Sequence, residues 1–120
     1  MALSYNGYDT NFITIEKAKD TDINLGDFVT IKNHLAAKAA SDTAFIGVVT
    51  GVKGNYLTVK TRGYHECLYT GSTAPKEGMS FLVSNGTGGV AVPSTSSATA
   101  NVARAVLRID DANKRIGFII

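Results

Sequence analysis

The residues most able to do chemistry are two histidines and one cysteine, His34, His65 and Cys67. His65-Glu66-Cys67 reads as part of a strand, which points His65 and Cys67 to the same side. A zinc site needs three or four such ligands, and nothing in the sequence brings His34 to the other two. A Cys–His nucleophile pair needs hydrogen-bond reach, yet residues two apart on a strand are about 6–7 Å apart along the backbone. Neither a Ser-His-Asp order nor a Gly-x-Ser-x-Gly turn is present. Two glycine clusters, Gly47/Gly51/Gly54 and Gly86/Gly88/Gly89, resemble phosphate loops in composition only. Neither ends in Gly-Lys-Ser/Thr, and neither opens a helix whose N-terminus would hold an anion. Bends and hairpins are the expected use of these glycines. The residues therefore predict no enzyme, no metal and no cofactor.

A basic face is the next candidate. Lys53, Lys60, Arg62, Arg104 and Arg108, with Tyr56 and Tyr64, are the residue types that hold a single nucleic-acid strand on a small β-domain. The net charge is only +2, from 12 Lys+Arg and 10 Asp+Glu, too little for a dedicated polyanion binder. Nucleic acid is thus the lesser expectation. The opposite feature stands out more. From Gly78 to Ala103 no residue is charged, although two turns and a Ser/Thr loop in that span must reach the surface. A neutral surface solubilises poorly, and a protein–protein contact is one reason to keep it.

The elements that must position these residues read as strands. The 120 residues make one domain, and surface scaling lets about two-thirds of the chain's area be buried. Thirteen threonines and nineteen valines plus isoleucines favour strands over helices. With a single cysteine no intramolecular disulfide forms, and no apolar run is long enough for a membrane helix. The first residues lack a basic region followed by an apolar run, so no signal peptide is expected. Asn85-Gly86-Thr87 fits a glycosylation sequon but is expected to be a turn.

Residues 1–11 read as an irregular arm carrying Tyr5 and Tyr8, and 12–120 as a single β domain. Expected strands lie at 12–16 (Ile13 and Ile15 sharing a face), 28–32 (Val29 and Ile31 inward), 35–39 after an Asn33-His34 turn, 45–52, 56–62, 64–70, 79–84, 89–92, 102–109 and 115–120. The run 45–52 is apolar on both faces and suits a buried strand. In 79–84 the apolar Met79, Phe81 and Val83 alternate with serines. In 102–109 the pattern puts Ala103, Ala105, Leu107 and Ile109 on one face, with Arg104 and Arg108 on the other. Pro93 to Asn101 reads as an uncharged loop. The prediction is an all-β fold, a small β-barrel or sandwich of about eight or nine short antiparallel strands.

The order of elements resembles the bacteriophage capsid decoration (cement) proteins over roughly residues 24–120. Its carriers are Leu25-Gly26-Asp27-Phe28-Val29, Phe45-Ile46-Gly47-Val48-Val49-Thr50-Gly51-Val52, Leu57-Thr58-Val59-Lys60-Thr61-Arg62-Gly63 and Gly78-Met79-Ser80-Phe81-Leu82-Val83. A Ser/Thr loop and two further strands follow. The resemblance implies a structural virion protein on the outer capsid surface, made in the host cytoplasm. It implies the major capsid protein as partner, a homo-oligomer with the trimer favoured, and no enzymatic activity, cofactor or membrane contact. On that reading the arm meets the capsid, with Tyr5, Tyr8 and Asn11 as contact residues. The alternative is a binding module for single-stranded nucleic acid or a host-surface glycan.

Overall fold

The computed structural model describes residues 11–94 and 102–120, and among these it contains eleven strands and no helix. Tyr5 and Tyr8 of the arm, and most of the Ser/Thr loop, lie outside the described residues. The all-β expectation holds, with more and shorter strands than the sequence pattern gave.

The first sheet is built from β1 (Phe12–Glu16), β2 (Phe28–Lys32), β3 (Leu35–Lys38), β4 (Gly47–Lys53) and β5 (Tyr56–Lys60), in the order β1-β5-β4-β2-β3. It curls until its end strands meet through a single parallel bridge, Lys17 to Ala36. Ile23, Val29, Ala36, Val49, Leu57 and Val59 fill its inside. The β2–β3 turn is the expected Asn33-His34, both with positive φ (53° and 68°), the backbone twist that two-residue hairpins favour.

The second sheet takes β6 (Tyr64–Thr70), β7 (Gly78–Phe81), β8 (Val83–Ser84), β9 (Val90–Ala91), β10 (Ala103–Asp110) and β11 (Arg115–Ile119), ordered β7-β10-β11-β6-β9-β8. All its pairs are antiparallel except β6–β9. Its two end strands are separated in the chain by Leu82 alone, so this sheet also wraps back towards itself.

The sheets share one core. Phe28, Phe45 and Val48 meet Cys67, Tyr69, Leu82, Val90, Val106, Ile116 and Phe118. On β2, Phe28 enters this shared core while its neighbour Val29 enters the first sheet's own interior; on β4, Val48 and Val49 divide in the same way. That explains the apolar run on both faces, since β4 is covered on two sides. Gly47 fits the same crowding: a Cβ there would come within 2.3 Å of the Lys60 carbonyl oxygen.

Three facing expectations are corrected. Ile31 is exposed at the far end of β2, although Val29, two residues before it, lies in the first sheet's interior. Met79 and Phe81 are exposed, and the chain turns inward only at Leu82 and Val83. On β10 the register against β11 slips between Val106 and Arg108, which makes a bulge. One extra residue reverses the facing of everything after it. Val106 and Ile109 therefore both reach the core, Leu107 is exposed, and Arg104 leaves the side of Arg108.

Candidate functional site

The nucleophile and metal candidates fold into the interior. Both Cys67 and His65 stand on the inward side of β6, opposite Ile116 and Phe118 of β11. Burial pushes the Cys67 thiol up to about 12, so at neutral pH it stands as the protonated thiol. The His65 ring stands edge-on to Phe28 and Phe118, with centroids 5.6 and 6.0 Å away. Burial, then the charges of Lys60 and Arg115, lower its pKa below the usual histidine value, against an opposing pull from Glu66. His34 sits apart in the exposed β2–β3 turn. Among the described residues no group of three or more His, Cys, Asp and Glu side chains could hold a metal ion. The glycine clusters lie in strand β4 and in turns.

The five cations take separate surroundings. Lys53 ends β4 and is exposed. Lys60 ends β5 and donates from Nζ to the Tyr64 carbonyl oxygen. Arg62 is exposed in the β5–β6 connection. Arg104 turns into the seam between the sheets, where its guanidinium lies 4.2 Å above the Phe45 ring and Nη2 donates to the Phe45 carbonyl oxygen at 2.8 Å. Arg108 stands on the outer face, 3.6 Å from the Glu66 carboxylate. Asn11 is exposed beside β1, and its carbonyl oxygen accepts the Thr61 N–H at 2.9 Å. The described chain therefore begins next to the β5–β6 connection.

The arrangement best suited to a function is an apolar outer face on β7 and β10. Met79, Phe81 and Leu107 are 69%, 49% and 57% exposed. Met79 lies opposite Ala105, and Phe81 opposite Ala103. A shallow groove of about 300 Å³ runs beside them, walled by Thr73, Ala74, Lys76 and Val92. Isolated apolar side chains on a surface are ordinary; a contiguous apolar patch marks an interaction site. The only sequence signal for it was the uncharged stretch from Gly78 to Ala103. The facing of Met79 and Phe81 was lost because an alternating strand at a sheet edge reads the same whichever side is covered.

Among the described residues the same face ends in a strand edge that has no further ladder partner. The Leu82 N–H bonds to the Val102 carbonyl, continuing the β7–β10 ladder, in which Ser80 opposes Arg104 and Gly78 opposes Val106. In an antiparallel ladder alternate residues exchange hydrogen bonds with a given neighbour. The even-numbered residues of β7 thus bond to β10, and the N–H and C=O groups of Met79 and Phe81 point away from it. β7 is the terminal strand of its sheet. Pairing from β9 stops at Ala91. Beyond it Pro93 has no N–H to offer, and Ser94 is tied to the Asp42 carboxylate by its N–H (3.0 Å) and hydroxyl (2.7 Å).

The geometry suits docking against another folded surface, because apolar side chains and unladdered backbone groups lie side by side. Compared with known proteins, the chain matches no family model, no curated protein and no solved structure.

Proposed function

We propose that this chain is a structural assembly protein, which decorates the outer surface of a bacteriophage capsid, binds the major capsid protein and stabilises the lattice without catalysing a reaction. The observation that carries the reading is the uncharged apolar face of Met79, Phe81 and Leu107, which a solitary protein gains nothing by exposing. The resemblance of its order of strands and glycines to decoration proteins is what points this reading to the capsid. Internal pressure strains a thin shell, and a clamp bridging adjacent subunits raises the energy of separating them. Many symmetry-related copies let a weak contact act collectively. The arm, with Tyr5, Tyr8 and Asn11, reaches the capsid, where its aromatic side chains add contact area.

Co-sedimentation with intact, undecorated capsids tests this. The full chain is expected to bind saturably at a fixed ratio to the capsid protein, and a chain lacking residues 2–11 to keep its fold and bind more weakly. A folded chain that fails to sediment with capsids discards the reading. Undiminished binding by the truncated chain removes the arm from it.

A further inference from the structure

The apolar face and the open edge of β7 together specify a partner. We propose that a second copy of this chain docks there, the two β7 strands pairing antiparallel about a two-fold axis at Ser80 to form a symmetric dimer. The inference rests on the reading of this face as an assembly surface and assigns it to the contact between copies, leaving the capsid contact to the arm.

The hydrogen-bond parity of β7 sets the register. Only Met79 and Phe81 direct N–H and C=O groups outward, as argued from the Leu82–Val102 bond. An antiparallel neighbour must answer with groups of the same parity. A second β7 does so when Ser80 faces Ser80, which sets Met79 of each copy opposite Phe81 of the other. Both pairs then exchange N–H···O=C bonds in both directions, and no outward backbone group of these residues is left over. A slip of one residue sets outward-facing groups against inward-facing ones and loses the ladder. Side chains follow the backbone: Met79 packs beside the partner strand's phenylalanine on one face, a thioether–aromatic pairing.

The self-complementary register and the neutrality of β7 favour a second copy over a different partner, and the area sets how tightly it binds. A two-fold contact sets every group near its own image, so a patch of one sign repels itself. Met79, Ser80, Phe81, Ala103, Ala105 and Leu107 carry no charge. Among the described residues that line the adjoining groove the one charge is Lys76, four residues from the axis. Within β7 itself no lysine or proline blunts pairing; Pro75 and Lys76 come just before the strand. Taking about 200 Å² for a large side chain, Met79, Phe81 and Leu107 expose on the order of 300 Å² per copy, against roughly 800 Å² in a standard stable interface. The pair is therefore concentration-dependent in free solution. It also closes at two copies. At the other end of the sheet, β8 is flanked by β9 and by the Thr43–Ser84 bridge, so the second sheet cannot chain head to tail. The pair is a dimer, where the resemblance implies a trimer.

Sedimentation velocity over a concentration series tests this on the wild type, on M79K/F81K and on M79E/F81E. Each variant is run alone and then mixed with the other, and its fold is checked by thermal melting. The wild-type mass is expected to climb from the 12.7 kDa of one chain towards twice that value. Each charged variant should stay a monomer, and an equimolar mixture should recover the dimer, because opposite charges then face each other across the axis. A wild type that stays monomeric, a trimeric mass, or charged variants that associate like the wild type overturns the proposal. Co-sedimentation with capsids separates its failure from that of the docking reading: a monomeric wild type that binds capsids, with the charged variants losing that binding, transfers the face to the capsid and overturns the dimer alone.

Discussion

At the scale of single residues, His65 is the group whose chemistry the fold has changed most usefully for measurement. Its ring packs edge-on against Phe28 and Phe118, and burial holds its pKa below the ordinary histidine value. An unfolded histidine takes its proton at about pH 6.5. The unfolded chain therefore protonates first as the pH falls. By linkage the folded state loses stability from about pH 6.5 downwards, until the lowered folded pKa has been passed. Asp42 and Asp110 are also lowered, by hydrogen bonds from Ser94 and Asn113, and by the same linkage they cost stability only as the pH falls into the carboxylate range near pH 4. Urea midpoints measured from about pH 7 to about pH 5 should fall for the wild type and stay level for His65→Phe. Parallel curves for the two proteins would refute the assignment. The sequence brought His65 and Cys67 together as a chemical pair through strand spacing. It could not tell that the shared side was the core, because a strand reports which residues face together and not what they face.

At the scale of elements, the bulge in β10 decides what Arg104 does. Strict alternation placed Arg104 with Arg108 on a solvated face. The extra residue between Val106 and Arg108 lets Arg104 share the inward side with Val106 and leaves Arg108 outside. Strand positions were legible because β-branched residues and turn glycines mark them, as at Tyr64–Thr70 and at the Asn33-His34 turn. Facing failed at β10 because a bulge has no side-chain signature here, and at β7 because an edge strand alternates without being covered. The candidate site was legible only as an absence of charge. Stability separates the two arginines. Arg104→Met keeps the stem but removes the donor to the Phe45 carbonyl and the cation above its ring, with an expected cost of about 1–3 kcal/mol. Arg108→Met breaks an exposed pair with Glu66 and should cost about 0–1 kcal/mol. Denaturant midpoints check both, and equal losses would contradict the facing assigned by the bulge.

At the scale of the whole molecule, two sheets behave as one folding unit only if something ties them, and the tie is visible at β2 and β4. Phe28 and Val48 enter the shared core while Val29 and Val49 enter the first sheet's interior. Neighbouring backbone positions thus serve both clusters, and the first sheet cannot loosen without uncovering the second. Phe28 is the sharpest probe, being 1% exposed and packed on Phe45, His65 and Phe118. Truncation to alanine removes a whole ring from a close-packed site and should cost about 3–5 kcal/mol, a large part of the 5–15 kcal/mol that roughly bounds domains of this size. If the sheets are coupled, the loss is shared. Amide hydrogen exchange at Val59 of the first sheet and at Ile116 of the second should accelerate by a similar factor in Phe28→Ala, since both then exchange through the same global opening. Acceleration at Ile116 with Val59 unchanged would mean that the first sheet opens by itself, with the shared aromatic core holding the sheets side by side without coupling them.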